Sequence, residues 1–340
     1  MILTLPVEEA VGKVLCHDMT RIVPGEGKGP AFRRGHVIAE EDIPTLLSIG
    51  KEHIYALDLS AGQLHEDDAA RRIARAVSGP GLSFSEVCEG RVNLIAEPGL
   101  LSIDVEALHR INSIENVALS TLHTNQFIDS ARPIAGTRVI PLVVEEALIE
   151  QVEAIAAEAW PVIQVKPLAR LRVGVVTTGS EVYHGRIKDK FGPVLRRKFA
   201  ALGSEVMDQV LVSDDPAMTR DAILRFVEQG AEMVVVTGGM SVDPDDQTPA
   251  SIRATGAEVV SYGSPTFPGA MFLLAYLGGV PVLGLPGCVM YHRASVFDLV
   301  VPRILAGEQI SRRDIVELGH GGFCAGCDEC RYPVCPFGKC

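Results

Sequence analysis

Five of the eight cysteines in this 340-residue chain fall within its last seventeen positions, spaced Cys324-x2-Cys327-x2-Cys330-x4-Cys335-Pro336-x3-Cys340. Thiols two residues apart in a turn can reach one ion, so four of the five suit a closed Zn²⁺ site or a single [4Fe–4S] cluster. The last gap is one residue longer than in the bacterial ferredoxin run, and without a second run a two-cluster ferredoxin is excluded. The competing reading is a thiol tail that holds no permanent metal. Cys16, Cys88 and Cys288 stand alone and read as core or loop residues. None of the nine histidines forms an HExxH or paired arrangement.

A second constellation asks for different chemistry. Gly238-Gly239-Met240-Ser241 follows the apolar run MVVVT and leads into Asp243, Asp245 and Asp246. Glycines at a strand end let backbone N–H groups approach an anion, hydroxyls add donors, and carboxylates supply the hard oxygens that Mg²⁺ shares with a phosphate. The plain alternative is a glycine turn whose acids cap the helix at Thr248–Pro249. Three other strand ends carry similar turns: Thr177-Thr178-Gly179-Ser180-Glu181, Ser213-Asp214-Asp215-Pro216 and Gly284-Leu285-Pro286-Gly287. Four such turns on one sheet edge favour a cleft, because open α/β sheets bind ligands at the carboxyl ends of their strands. Asp215 reads as a helix cap, and Asp214 is freer to face the cleft.

The elements that would position these residues follow from the patterning. From Leu171 onward, LRVGVVTTG, EVMDQVLV, MVVVTGG and VPVLGLPG read as strands. FGPVLRRKFAALG, PAMTRDAILRFVEQG, TPASIRATG and one long VMYHRASVFDLVVPRILAG read as helices. Near-continuous valine runs alternating with helices predict a doubly wound, mostly parallel α/β domain over 166–310. Smaller mixed α/β parts are expected before it, at 1–60 and 61–165, with a Gly/Pro-rich loop at 24–30 and a linker between Pro161 and Pro167. Residues 311–340 form the cysteine-rich tail, and truncation after Gly319 is expected to leave a folded domain.

Composition bounds the function. Apolar residues make up 47% and charged residues 22%, which is globular, and a net charge of −12 argues against nucleic-acid and anionic-membrane partners. An anionic ligand must therefore be held by local donors. The stretch from Val259 to Tyr291 has no Asp, Glu, Lys or Arg, but its Gly and Pro residues fit buried sheet and loops rather than a membrane span. The N-terminus has no basic, apolar leader, so a cytoplasmic, reducing location is expected.

VVTTGSEV, DKFGPVLRRKF, VSDDPAMTRDAI, VVVTGGMSVDPDDQTP and VLGLPGCV occur in an order that resembles the molybdopterin-binding domain of molybdenum-cofactor biosynthesis proteins. That group includes molybdopterin molybdenumtransferases, molybdopterin adenylyltransferases and competence-damage-inducible relatives. The resemblance spans about residues 170–306. LPVEEAVGKVL and AFRRGHVIAEEDIPTLLSIG resemble the start of the molybdenumtransferase chain more distantly.

The resemblance implies that Asp214 and Asp246 face the metal and molybdate, and that Gly238, Gly239, Met240 and Ser241 hold the pterin's terminal phosphate. Thr178, Gly179, Ser180, Asp245, Pro286 and Gly287 would line the cleft. The chain departs from the molybdenumtransferase pattern at Gly287-Cys288-Val289, where that family continues Gly-Asn-Pro. It also lacks the early Asp-Asn-Ser-x-Met-Asp-Gly stretch and the later Thr-Gly-Ala motif. Pterin binding is thus better supported than molybdate insertion.

The leading expectation is an enzyme acting on molybdopterin or its adenylylated form with Mg²⁺ and molybdate, self-associating as this family does. One alternative is a non-catalytic pterin carrier that serves a molybdoenzyme, its tail holding Zn²⁺ or [4Fe–4S] or docking the partner. The other is a nucleotide pyrophosphate hydrolase of the competence-damage type.

Overall fold

The computed structural model describes residues 2–23, 27–57, 62–241, 243 and 246–339. The chain divides into two compact units, one comprising 1–97, 103–122 and 130–165, the other 98–102, 123–129 and 166–340. No helix among the described residues is long and apolar enough to cross a membrane.

In the first unit, strand Ile2–Pro6 pairs antiparallel with His53–Leu57. Val7, Leu15, Met19, Ile38, Leu46 and Ile54 close a small core beside that pair. A short helix runs over Ile43–Ser48, and Gly50, at φ +78°, follows its end. Of the loop expected at 24–30, residues 24–26 lie outside the described residues, and Gly27–Phe32 is a strand paired with Met19–Val23. A second, antiparallel sheet runs in the order Leu82–Phe84, Arg91–Ala96, Arg132–Val139, Val117–Thr121. Helix Glu66–Val77 buries Ala69, Ala70, Ile73, Ala74 and Val77, a stripe at helical spacing. The expected linker after Pro161 contains a further strand, Ile163–Lys166.

His65 caps that helix. Its Nδ1 accepts the Asp67 N–H at 3.1 Å while Nε2 donates to the Cys16 carbonyl, so both ring nitrogens are used by the neutral form. Burial, then the charge of Arg34, pushes its pKa below the usual 6.5. The folded state therefore binds fewer protons than the unfolded chain at mildly acidic pH. The stabilisation is fully present above about 6.5 and declines as pH falls below it. Urea unfolding should show this unit losing about 1 kcal/mol, the worth of a cap, between pH 7.5 and 5.5. His65→Asn should flatten that dependence; an unchanged slope in the variant rules the histidine out as its source.

The second unit is built on six strands: β1 (Arg172–Thr178), β2 (Glu205–Val212), β3 (Met233–Thr237), β4 (Glu258–Tyr262), β5 (Leu273–Leu277) and β6 (Val280–Leu285). They lie in the order β2-β1-β3-β6-β5-β4. The first three pairings are parallel and the last two antiparallel. The doubly wound, mostly parallel sheet expected from the valine runs is thus present. β4 and β5 fill the uncharged stretch read as buried sheet and loops.

Residues alternate between two cores, as a sheet covered on both faces requires. Val173, Val175, Met233, Val235, Leu283 and Leu285 pack under helices α2 (Phe191–Ala201) and α6 (Val296–Leu305). Val176, Val234, Val236 and Val282 pack against α3 (Pro216–Glu228) and α4 (Thr248–Ala254). α1 (Ser180–Tyr183), α5 (Cys288–Tyr291) and α7 (Arg312–Glu317) are short. The one long closing helix expected after the last strand is in fact two, α5 and α6. Ser295 interrupts it because its side chain caps the Phe297 N–H and Asp298 caps the Ser295 N–H, a reciprocal start signal inside the apolar run.

The tail is docked on this unit rather than free. Phe337 is 3% exposed in the core under α6. Tyr332 donates to the Asp298 carbonyl at 3.0 Å, and Lys339 donates to Gln126 at 2.7 Å. Gly338 N–H meets the Gly321 carbonyl at 2.9 Å, which closes the segment into a loop.

Candidate functional site

Three of the four strand-end turns meet at one cleft, and the Gly284–Gly287 turn does not line it. A cleft of about 880 Å³ at the carboxyl edge of β1 and β3 is lined by Thr178, Gly179, Asp214, Gly238, Gly239 and Asp246. Gly238 and Gly239 have φ of +85° and +55°. A Cβ on Gly238 would stand 2.2 Å from the Thr178 carbonyl oxygen, so the loop can turn this tightly only without a side chain. Thr248 Oγ1 donates to the Gly238 carbonyl at 2.8 Å and its N–H meets the Gly239 carbonyl at 3.1 Å. That hydroxyl is a brace for the loop and not the ligand donor expected of it.

Asp214 lines the cleft and accepts the Ser180 N–H at 2.8 Å through Oδ2. Its neighbour Asp215 caps α3 by accepting from Ala217 and Met218, as its spacing before Pro216 predicts. Asp246 also lines the cleft, as does Asp243, whose carbonyl takes the Asp246 N–H at 2.9 Å.

Other expected site residues stand elsewhere. Met240 is 4% exposed and turned into the core against Gly284, so its side chain supports the loop from beneath. Ser241 is exposed and outside the cleft lining. Ser180 Oγ pairs with Ser213 Oγ at 2.9 Å, leaving that residue a turn partner. Pro286 is buried and Gly287 precedes α5; neither is among the cleft-lining residues. Asp245 lies outside the described residues. Burial pushes the Cys288 thiol above its usual pKa, so it is protonated at neutral pH and no ready nucleophile.

Two lysines were missed. Lys188 and Lys190 line the cleft, both exposed, with no ion pair or hydrogen bond among the described residues. Asp189 between them is held instead, receiving Phe191 and Gly192 N–H groups and the Gln209 amide at 2.7 Å. Gln209 also donates to Thr177 at 3.0 Å, which ties the lysine loop to the first strand. The signal in the sequence was the alternating Lys-Asp-Lys immediately before a helix start. In a chain of net charge −12 these are the local cations an anionic ligand needs.

Asp214 and Asp246 offer hard carboxylate oxygens, but no group of three or more His, Cys, Asp or Glu among the described residues is arranged around one ion. That suits a cation held by one or two carboxylates and completed by substrate phosphates and water, the usual habit of Mg²⁺. In the tail, Cys324, Cys330 and Cys335 lean on the α6 core and Cys327 is exposed; Cys340 lies outside the described residues.

Residues 174–306 match the family described as "Probable molybdopterin binding domain", and residues 4–58 match one described as a domain of unknown function, DUF8806. A CinA-like protein of Mycobacterium tuberculosis is 38% identical over 91 residues, 26% of this chain. One of Mycobacterium sp. strain MCS is 36% identical over the same length. The match spans only 21% of the length of these relatives. Among solved structures, the molybdopterin biosynthesis enzyme MoaB of Thermus thermophilus is 20% identical, covering 41% of this chain and 98% of its own, with a TM-score of 0.33. The tungsten cofactor synthesizing protein MoaB of Pyrococcus furiosus is 22% identical, covering 42% and 98%, with a TM-score of 0.34.

Proposed function

We propose that the cleft of this molybdopterin-binding-type domain takes molybdopterin or its adenylylated form and acts in molybdenum-cofactor assembly by a molybdenumtransferase-like reaction with molybdate. The observation that carries the proposal is the pairing of Lys188 and Lys190 with Asp214 and Asp246 around one glycine loop. The lysines draw the ligand's phosphate into an otherwise repelling field, and the open backbone at Gly238 and Gly239 lets it approach closely. Asp214, fixed by the Ser180 N–H, and Asp246 would hold Mg²⁺. When bound, that ion would neutralise phosphate and leaving-group charge. The residues themselves orient and hold the ligand, and rate enhancement comes from positioning.

The test gives purified protein adenylylated molybdopterin, molybdate and Mg²⁺, and measures AMP release. Asp246→Asn should cut turnover about 100-fold, the scale of losing one pre-arranged charge contact. Its melting temperature should stay within about 2 °C, since a half-buried loop carboxylate that accepts the Asp243 N–H at a long 3.4 Å does little for the fold. Full activity in that variant, or tight binding by the parent without AMP release, defeats the transferase reading. The similarity to CinA-like proteins favours one second reading, hydrolysis of a nucleotide pyrophosphate in the same cleft. Incubation with ADP-ribose and Mg²⁺, monitored for AMP, separates the two.

A further inference from the structure

A second cavity, of about 460 Å³, lies between α2 and α6 and shares only Met290 and Tyr291 with the cleft. Its volume falls in the range of small-ligand sites. Its wall is cationic in an acidic protein. Arg197 is exposed and makes no hydrogen bond or ion pair among the described residues. Arg293 lines it too, donating to the Cys330 carbonyl at 3.3 Å, and His292 stands beside it. The one acid among the described lining residues, Asp298, is already neutralised by Lys198 Nζ at 2.7 and 2.9 Å. The positive charge of the two arginines is therefore uncompensated. Aromatic surface sits at the same place: Tyr291 is 77% exposed, far more than a large ring without a partner normally is, and Tyr332 of the tail forms a wall.

We propose that this cavity is a second binding site, for a small planar aromatic anion whose phosphate or carboxylate is taken by Arg197 and Arg293 and whose ring lies against Tyr291 and Tyr332. The guanidinium forks match either oxyanion, and a ring face supplies the contact that a bare ion lacks. The site is independent of the reaction assigned to the cleft.

The probes are phenyl phosphate and inorganic phosphate, titrated calorimetrically into the full chain at low salt. Phenyl phosphate should bind saturably and more tightly than inorganic phosphate. Arg197→Glu should weaken it roughly tenfold or more, because reversal turns an attraction into a repulsion. Lys188→Glu, in the neighbouring cleft, should leave it unchanged. Absence of saturable binding to the parent overturns the assignment, as does equal affinity in Arg197→Glu. A loss confined to Lys188→Glu also overturns it, by placing the probe in the cleft. If Arg197→Glu fails to fold, Ala201→Trp decides by the same criterion, since it fills the cavity from an exposed helix position.

Discussion

Gly238→Ala is expected to destabilise the α/β domain by about 2–4 kcal/mol and to abolish ligand capture in the cleft. The methyl would meet the Thr178 carbonyl oxygen at 2.2 Å, and that oxygen belongs to the end of a buried central strand that cannot retreat. The backbone at φ +85° adds strain of its own. Gly239→Ala makes the instructive contrast. Its φ of +55° is one an alanine can adopt at a cost, and its new Cβ would press chiefly on the Thr248 hydroxyl, at 2.8 Å. About 1 kcal/mol is expected there. Urea midpoints of the two variants check the order; equal losses would mean that strain in the loop, and not the Thr178 contact, sets the cost.

The second large effect lies in the tail. Phe337→Ala should cost about 3–5 kcal/mol, as emptying a buried aromatic site usually does. Truncation after Gly319 removes that ring together with Tyr332 and the Lys339–Gln126 contact, and uncovers Leu299 against Gly338. The melting temperature of the truncated chain should fall by about 10 °C or more. A truncated chain that melts with the parent would restore the view from cysteine spacing alone, that the tail is separable. The spacing said nothing of packing, because the tail's large apolar residues, Phe323, Tyr332, Val334 and Phe337, are too scattered among Gly, Pro and Cys to show a period.

The sheet was legible because its strands are buried on both faces, and that burial writes near-continuous valine runs such as Val173-Gly174-Val175-Val176 and Met233-Val234-Val235-Val236. The split between α5 and α6 was not. No Gly or Pro stands between Cys288 and Val301, and the reciprocal Ser295–Asp298 capping marks the break. In the site, residues whose role is set by the backbone were readable: Asp215 before Pro216 as a cap, and Gly238 and Gly239 at a strand end. Residues whose role depends on which way a side chain turns were not. Met240 and Ser241 are neighbours in one motif, yet the first drops into the core and the second faces solvent. Lys188 and Lys190 gain their meaning only from Gln209, about twenty residues on in the sequence, which pins the aspartate between them.

Tyr332 stands in two places at once. It belongs to the loop closed between Gly321 and Gly338, with Cys330 and Cys335 on either side, and it is also a wall of the cavity beside α6. Chemistry at those thiols that lifts the loop changes that wall. Linkage makes the relation mutual: a ligand seated in the cavity resists release of the loop by the same free energy with which release of the loop weakens the ligand. The packing of the cysteine-rich end is then a term in any equilibrium that fills this cavity.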